Sequence, residues 1–163
     1  MAHARLRHVW LFVGVVAAGA LAASGPVEAA ETQVRPIAGV CSTTFSVQPS
    51  GEIAIDGTCQ LTHLGTAEYH ATQTVTPNPD GTVHITVTGF YAAANGDTLR
   101  STVVGTGRFT GPSTVMFATT ETYDGGTGRF ESATGVANDV GVASFTGPTT
   151  GASTYTTAGS ISY

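Results

Sequence analysis

Six residues of this chain are polar where their alternating neighbours are apolar: Tyr69, Tyr91, Arg100, Glu121, Asn138 and Tyr155. Glu121 alternates with Val115, Phe117 and Tyr123, and Asn138 with Val136, Val140 and Val142. Charged and amide groups persist in an apolar interior only when they are paired or put to use. Arg100 with Glu121 would make an ionisable pair able to orient a ligand or move a proton. The tyrosines offer rings for apolar contact and hydroxyls that want partners. These six, with the small residues Ala71 and Gly89, are the candidate ligand-binding residues. The alternative reading is that the six polar ones rim the mouth of the fold, in water. No catalytic residue is assigned.

Other chemistry lacks its context. The run Gly125-Gly126-Thr127-Gly128 could cradle a phosphate only between an apolar strand and a helix N-terminus. Here Glu121-Thr122-Tyr123 precedes it and one helical turn at most can follow, so Gly125, Gly126, Gly128 and the adjacent Phe130 read as structural. No metal site is expected. His84 and His70 fall on adjacent strands about 20 Å apart along the strand, and His63 lies in a loop. A serine nucleophile has no Gly-x-Ser-x-Gly elbow. No cofactor is expected.

The elements that must position these residues read as strands. Thr, Val, Ile, Phe and Tyr recur at period two, with no convincing period of 3.6 after the N-terminal stretch. The expected strands are Val40 to Val47, Glu52 to Leu61, Thr66 to Thr76, Thr82 to Tyr91, Asp97 to Thr106, Ser113 to Tyr123, Val136 to Phe145 and Ser153 to Tyr163. Gln48-Pro49-Ser50-Gly51 and Asn78-Pro79-Asp80-Gly81 suit type I turns with a glycine bulge. Counting outward from the first sets Cys41 opposite Cys59, which predicts a disulfide between them. Counting from the second sets Val75 opposite Ile85, Gln73 opposite Val87, Ala71 opposite Gly89 and Tyr69 opposite Tyr91. Asn95-Gly96 reads as a two-residue hairpin loop, which turns Arg100 inward opposite Tyr91. Small residues beside aromatic ones predict a cavity near Tyr69, Ala71, Gly89 and Tyr91.

Gly125 to Gly135 reads Gly-Gly-Thr-Gly-x-Phe-x-x-Ala-x-Gly. This stretch resembles the signature of the allene oxide cyclase and dirigent barrels. Small secreted bacterial proteins share it together with Thr-His-Leu-Gly and Ala-Asn-Gly-Asp, here Thr62 to Gly65 and Ala94 to Asp97. The resemblance implies an all-β, eight-stranded antiparallel up-and-down barrel, and it carries no catalytic residues onto this chain. Within the glycine-rich stretch, Phe130 is expected to plug one end of the barrel while Arg129 faces water.

Residues 1–29 read as a secretory signal. Arg5 and Arg7 give a positive start, Val9 to Ala23 is apolar, and Val27-Glu28-Ala29 suits the cleavage enzyme. A flexible lead-in over residues 30–39 and a single barrel domain over residues 40–163 complete the expected organisation. The product is expected to be secreted or extracytoplasmic. The whole chain carries a net charge of −5, with no lysine. That balance argues against nucleic acid and against anionic membranes, both of which are met by Lys and Arg. No stable membrane insertion is expected.

The function expected from these residues is binding of a small apolar molecule in the barrel lumen, without catalysis. An isomerase or stereochemical guide like the allene oxide cyclase and dirigent barrels is the second expectation, and a cell-envelope interaction module the third. Catalysis predicts an ionisable pair deep in the lumen. An interaction module predicts a filled lumen and an apolar patch outside.

Overall fold

The computed structural model describes residues 33–163; the signal reading, and the first residues of the expected lead-in, lie outside them. Eight strands follow in chain order: β1 Val34–Val47, β2 Ile53–Leu61, β3 Gly65–Pro77, β4 Thr82–Ala93, β5 Thr98–Phe109, β6 Thr114–Gly126, β7 Thr134–Phe145 and β8 Thr150–Ser162. Each pairs antiparallel with the next, and β8 returns to β1, so the sheet closes as an up-and-down barrel with no free edge. A single 3₁₀ turn, Gly128–Phe130, interrupts the strands between β6 and β7.

Three hairpins use one loop design. Gln48, Asn78 and Ala93 each take the carbonyl of the residue four positions on, through N–H···O distances of 2.7, 2.9 and 2.9 Å. The glycine before that residue supplies the positive φ, at 91° for Gly51, 81° for Gly81 and 87° for Gly96. Both registers counted from the first two loops are observed, including Cys41 opposite Cys59 and Tyr69 opposite Tyr91. The third loop departs from the expectation. It holds three residues instead of two, so Tyr91 faces Leu99, and Arg100 faces Phe90 on the outside of the barrel. A one-residue change in a hairpin loop moves the following strand's side chains to the other face.

Strand β1 also differs. It begins at Val34, so residues 34–39 are strand and not flexible lead-in. Its first five residues pair with β8 alone, and the β1–β2 ladder starts only at Gly39. Closing a barrel demands such a stagger between its first and last strands, and Ile37 is buried on this segment.

Inward and outward faces alternate along every strand. β7 carries the largest surprise. Its inward face is Gly135, Ala137, Asp139, Gly141 and Ala143, while Val136, Asn138, Val140 and Val142 point to water. Volume explains the inversion. A Cβ on Gly141 would collide with Tyr155 and crowd the Phe117 ring, and a Cβ on Gly151 of β8 would collide with the Phe45 ring. The small residues of β7 and β8 admit aromatic side chains from their neighbours, so the valines are left outside.

Cys41 and Cys59 form a disulfide across β1 and β2, with both residues fully buried. It spans 18 residues. Replacing both cysteines by serine should therefore lower stability by about 3 kcal/mol, read by urea denaturation. Thiol-reactive groups in the denatured, unreduced protein would contradict the pairing.

Candidate functional site

The two ends of the barrel differ. At one end lie the β2–β3, β4–β5 and β6–β7 connections, with the start of β1 and the finish of β8. Here Ile37, Leu61, Leu64, Leu99, Phe130 and Ile161 pack into one cluster. Phe130 has no solvent exposure, and its ring lies 4.9 Å from that of Tyr163. The re-entrant 3₁₀ turn thus stoppers the barrel, as its glycines and Phe130 lead one to expect.

The glycine-rich, Thr-His-Leu-Gly and Ala-Asn-Gly-Asp stretches meet at this stopper. Arg129 donates to the His63 carbonyl at 2.6 Å and lies 3.5 Å from the Asp97 carboxylate. Gly128 stands at φ 59°, where a Cβ would collide with Asp97. His63 holds the left-handed conformation at φ 72° and bonds the Pro36 carbonyl through its ring. The Thr-His-Leu-Gly and Ala-Asn-Gly-Asp stretches therefore hold the stopper in place. Arg129 does not simply face water but bridges the two loops.

The other end is open. Beneath the β1–β2, β3–β4, β5–β6 and β7–β8 loops lies a lumen cavity of about 180 Å³. Its upper wall is apolar, built from Phe45, Ile53, Val75, Val83, Phe109 and Phe145. Lower down come Ile85, Val87, Val103 and Phe117. The floor is polar: Tyr69, Tyr91, Glu121, Asp139 and Tyr155 border it. The Tyr69 and Tyr91 rings stack with centroids 4.6 Å apart, and Phe117 meets Tyr155 edge-on at 5.9 Å.

Glu121 is fully buried. Tyr91 donates to its Oε1 at 2.8 Å and Tyr123 to its Oε2 at 2.9 Å. Burial, then the negative charge of Asp139, push its pKa up to about 7, against the downward pull of the hydroxyls around it. Asp139, on the adjacent strand, is 3% exposed and accepts from Thr119 at 3.1 Å through Oδ2. Burial raises its pKa too. Its Oδ1 has no partner. Just beneath, Ser101 sits beside Glu121 and Tyr69, and Thr157 beside Tyr123 and Asp139. Neither hydroxyl makes a hydrogen bond of good geometry. Desolvation holds all four tyrosines protonated, with pKa values raised above the usual range.

Of the residues expected to line a pocket, Tyr69, Tyr91, Glu121 and Tyr155 do. Four others do not. Arg100 lies outside, donating to the Asp124 carbonyl at 2.7 Å. Asn138 lies outside because β7 turns its small residues inward. Ala71 and Gly89 do not line the lumen cavity, and a Cβ on Gly89 would run into Ala71; both back a shallow outer groove with Asp56, His70, Phe90 and Arg100. The cavity lies nearer the mouth. Asp139, Ser101 and Thr157 belong to the site and were not expected there. The sign for Asp139 was available in the alternation of small residues from Ala137 to Ala143, once those are read as the inward face.

Among the described residues no group of histidine, cysteine, aspartate or glutamate is arranged to hold a metal ion, and no helix is long and apolar enough to cross a membrane. The disulfide is compatible with an oxidising compartment. Fold and site together define an eight-stranded antiparallel barrel with a one-ended lumen and a carboxyl pair at its floor. No protein-family profile, curated protein or solved structure matches this chain.

Proposed function

We propose that this is an exported small-molecule-binding barrel whose lumen takes one molecule with an apolar body. The observation that carries this reading is an apolar-walled cavity, open at one end, whose floor is bordered by the buried carboxyls of Glu121 and Asp139. Binding sites combine such walls with a few convergent polar groups. Both oxygens of Glu121 are held by tyrosines, which favours a fixed floor over a group that attacks a substrate. The N-terminal signal pattern and the disulfide favour export.

A second reading is an isomerase or stereochemical guide like the allene oxide cyclase and dirigent barrels. One observation favours it: Glu121 exchanges its proton near neutrality beside an apolar cavity, where general acids and bases operate. For the envelope-module reading, the exposed Val136, Val140, Val142 and Met116 offer some support, while the unfilled lumen counts against it.

NMR titration with 1-hexanol tests the binding reading. Amide shifts are expected on β4, β5 and β6 around Val87, Val103 and Glu121, and Val87→Phe should abolish them by occupying the cavity. Such overpacking lowers stability by about 1–3 kcal/mol. Shifts confined to the outer surface, or none, would refute a binding lumen.

A further inference from the structure

The floor of the lumen has an unbalanced composition. Glu121 and Asp139 lie on adjacent strands, and no cationic side chain of the described residues faces them. The chain has no lysine. Arg100 pairs with Asp124 on the outside, Arg129 bridges the closed-end loops, and Arg35 reaches Tyr163. Arg108 is exposed, facing Met116 on the outer side of β5 and β6. The polar partners that the carboxyls do have are hydroxyls, and these leave Asp139 Oδ1, itself closed off from solvent, without a hydrogen bond, while the Asp139 residue borders the cavity. A buried carboxylate without a counter-charge is costly, and a ligand that brings one removes that penalty.

The surroundings suit a cation in a second way. The Tyr69–Tyr91 stack and the Phe117–Tyr155 pair put four aromatic rings around the floor. Ring faces attract ammonium groups, more strongly when water is excluded. The upper wall suits an aliphatic or flat body. A cavity of about 180 Å³ compares with the ~150 Å³ that accepts a benzene ring, so the body is short, or its tail emerges at the mouth.

We propose that the lumen selects small organic cations, namely amines on a short apolar body, with the ammonium paired to the Asp139 carboxyl over the aromatic floor. This rests on the reading of the lumen as a binding site and names the class of ligand. Burial and the charge of Asp139 oppose ionisation of Glu121, whose pKa is pushed up to about 7, so that Glu121 holds its proton below neutrality. An ammonium displaces that proton.

The groups that face the carboxyls are Tyr69 on β3, Tyr91 on β4, Tyr123 on β6 and Tyr155 on β8, all held protonated; no histidine, lysine or arginine of the described residues faces them. Cation affinity should therefore rise with pH through about 7. Hexylamine keeps its proton over that range, as an alkylammonium with a pKa near ~10.

Calorimetric or NMR titration of the intact mature protein with hexylamine, 1-hexanol and hexanoate, at pH 5.5 and 8, decides the matter. The expected order is amine, then alcohol, then carboxylate, with the amine binding about tenfold or more tighter at pH 8 than at pH 5.5. The alcohol should change little. Asp139→Asn should cost the amine about tenfold at pH 8 and abolish its advantage over 1-hexanol at that pH; Glu121→Gln serves the same purpose should the first variant fold poorly. An alcohol that binds as well as the amine at pH 8, or an amine whose affinity is flat with pH, overturns the cation proposal and leaves the binding lumen standing. Failure of all three molecules to bind overturns both.

Discussion

Replacing Phe130 with alanine is expected to remove about 3–5 kcal/mol of stability, the range for deleting a buried aromatic ring. Phe130 is fully buried in the cluster that seals the closed end, against Tyr163 and the buried ends of β1 and β8. Arg129, the adjacent residue, should behave differently. Its guanidinium is half exposed, and its contacts to the His63 carbonyl and Asp97 are worth about 1 kcal/mol when truncated to alanine. Denaturant melts of both variants test the contrast. Equal, small losses would show that the 3₁₀ turn does not stopper the barrel.

The second large effect is a stability that falls as pH rises. The folded-state pKa of Glu121, about 7, lies above its ordinary value of 4.5. Between those values the folded protein holds a proton that the unfolded chain releases, so stability drops with rising pH across that window. The contribution is fully present below about pH 4.5 and lost as pH passes 7. The difference corresponds to roughly 3 kcal/mol. Asp139, also raised by burial, works in the same direction. Urea midpoints are expected to decline between pH 5 and 8, and Glu121→Gln should flatten most of that decline, since its amide has no proton to lose and still accepts from one tyrosine hydroxyl through its oxygen. A wild-type midpoint that rises over this interval, or a variant with the same slope, would mean that Glu121 is ionised in the folded protein well below neutrality.

Glu121 and Asp139 mark the boundary between what can be read along the chain and what cannot. Glu121 stands out locally, because its strand alternates cleanly with Val115, Phe117 and Tyr123. Asp139 does not, because the more apolar side of its strand faces water. Both sides of β7 carry residues compatible with a strand, and hydropathy favours the wrong one. Arg100 fails for a different reason: one additional residue in the Ala94–Gly96 loop reverses the face of the strand that follows it.

By itself the sequence determined the strand count, the antiparallel order, the pairing of Cys41 with Cys59 and the facing of Tyr69 and Tyr91. These follow from proline and glycine at fixed turn positions and from period-two alternation, which act over a few residues and need no knowledge of the rest of the chain. Only the tertiary structure decided the inward face of β7, the entry of residues 34–39 into β1, the site of the cavity and the meeting of Glu121 with Asp139. Each depends on closure. A closed barrel imposes one stagger between its first and last strands and one interior volume shared by all eight. Which strand contributes bulk and which gives way to it is settled among residues far apart in sequence, so no local pattern records it.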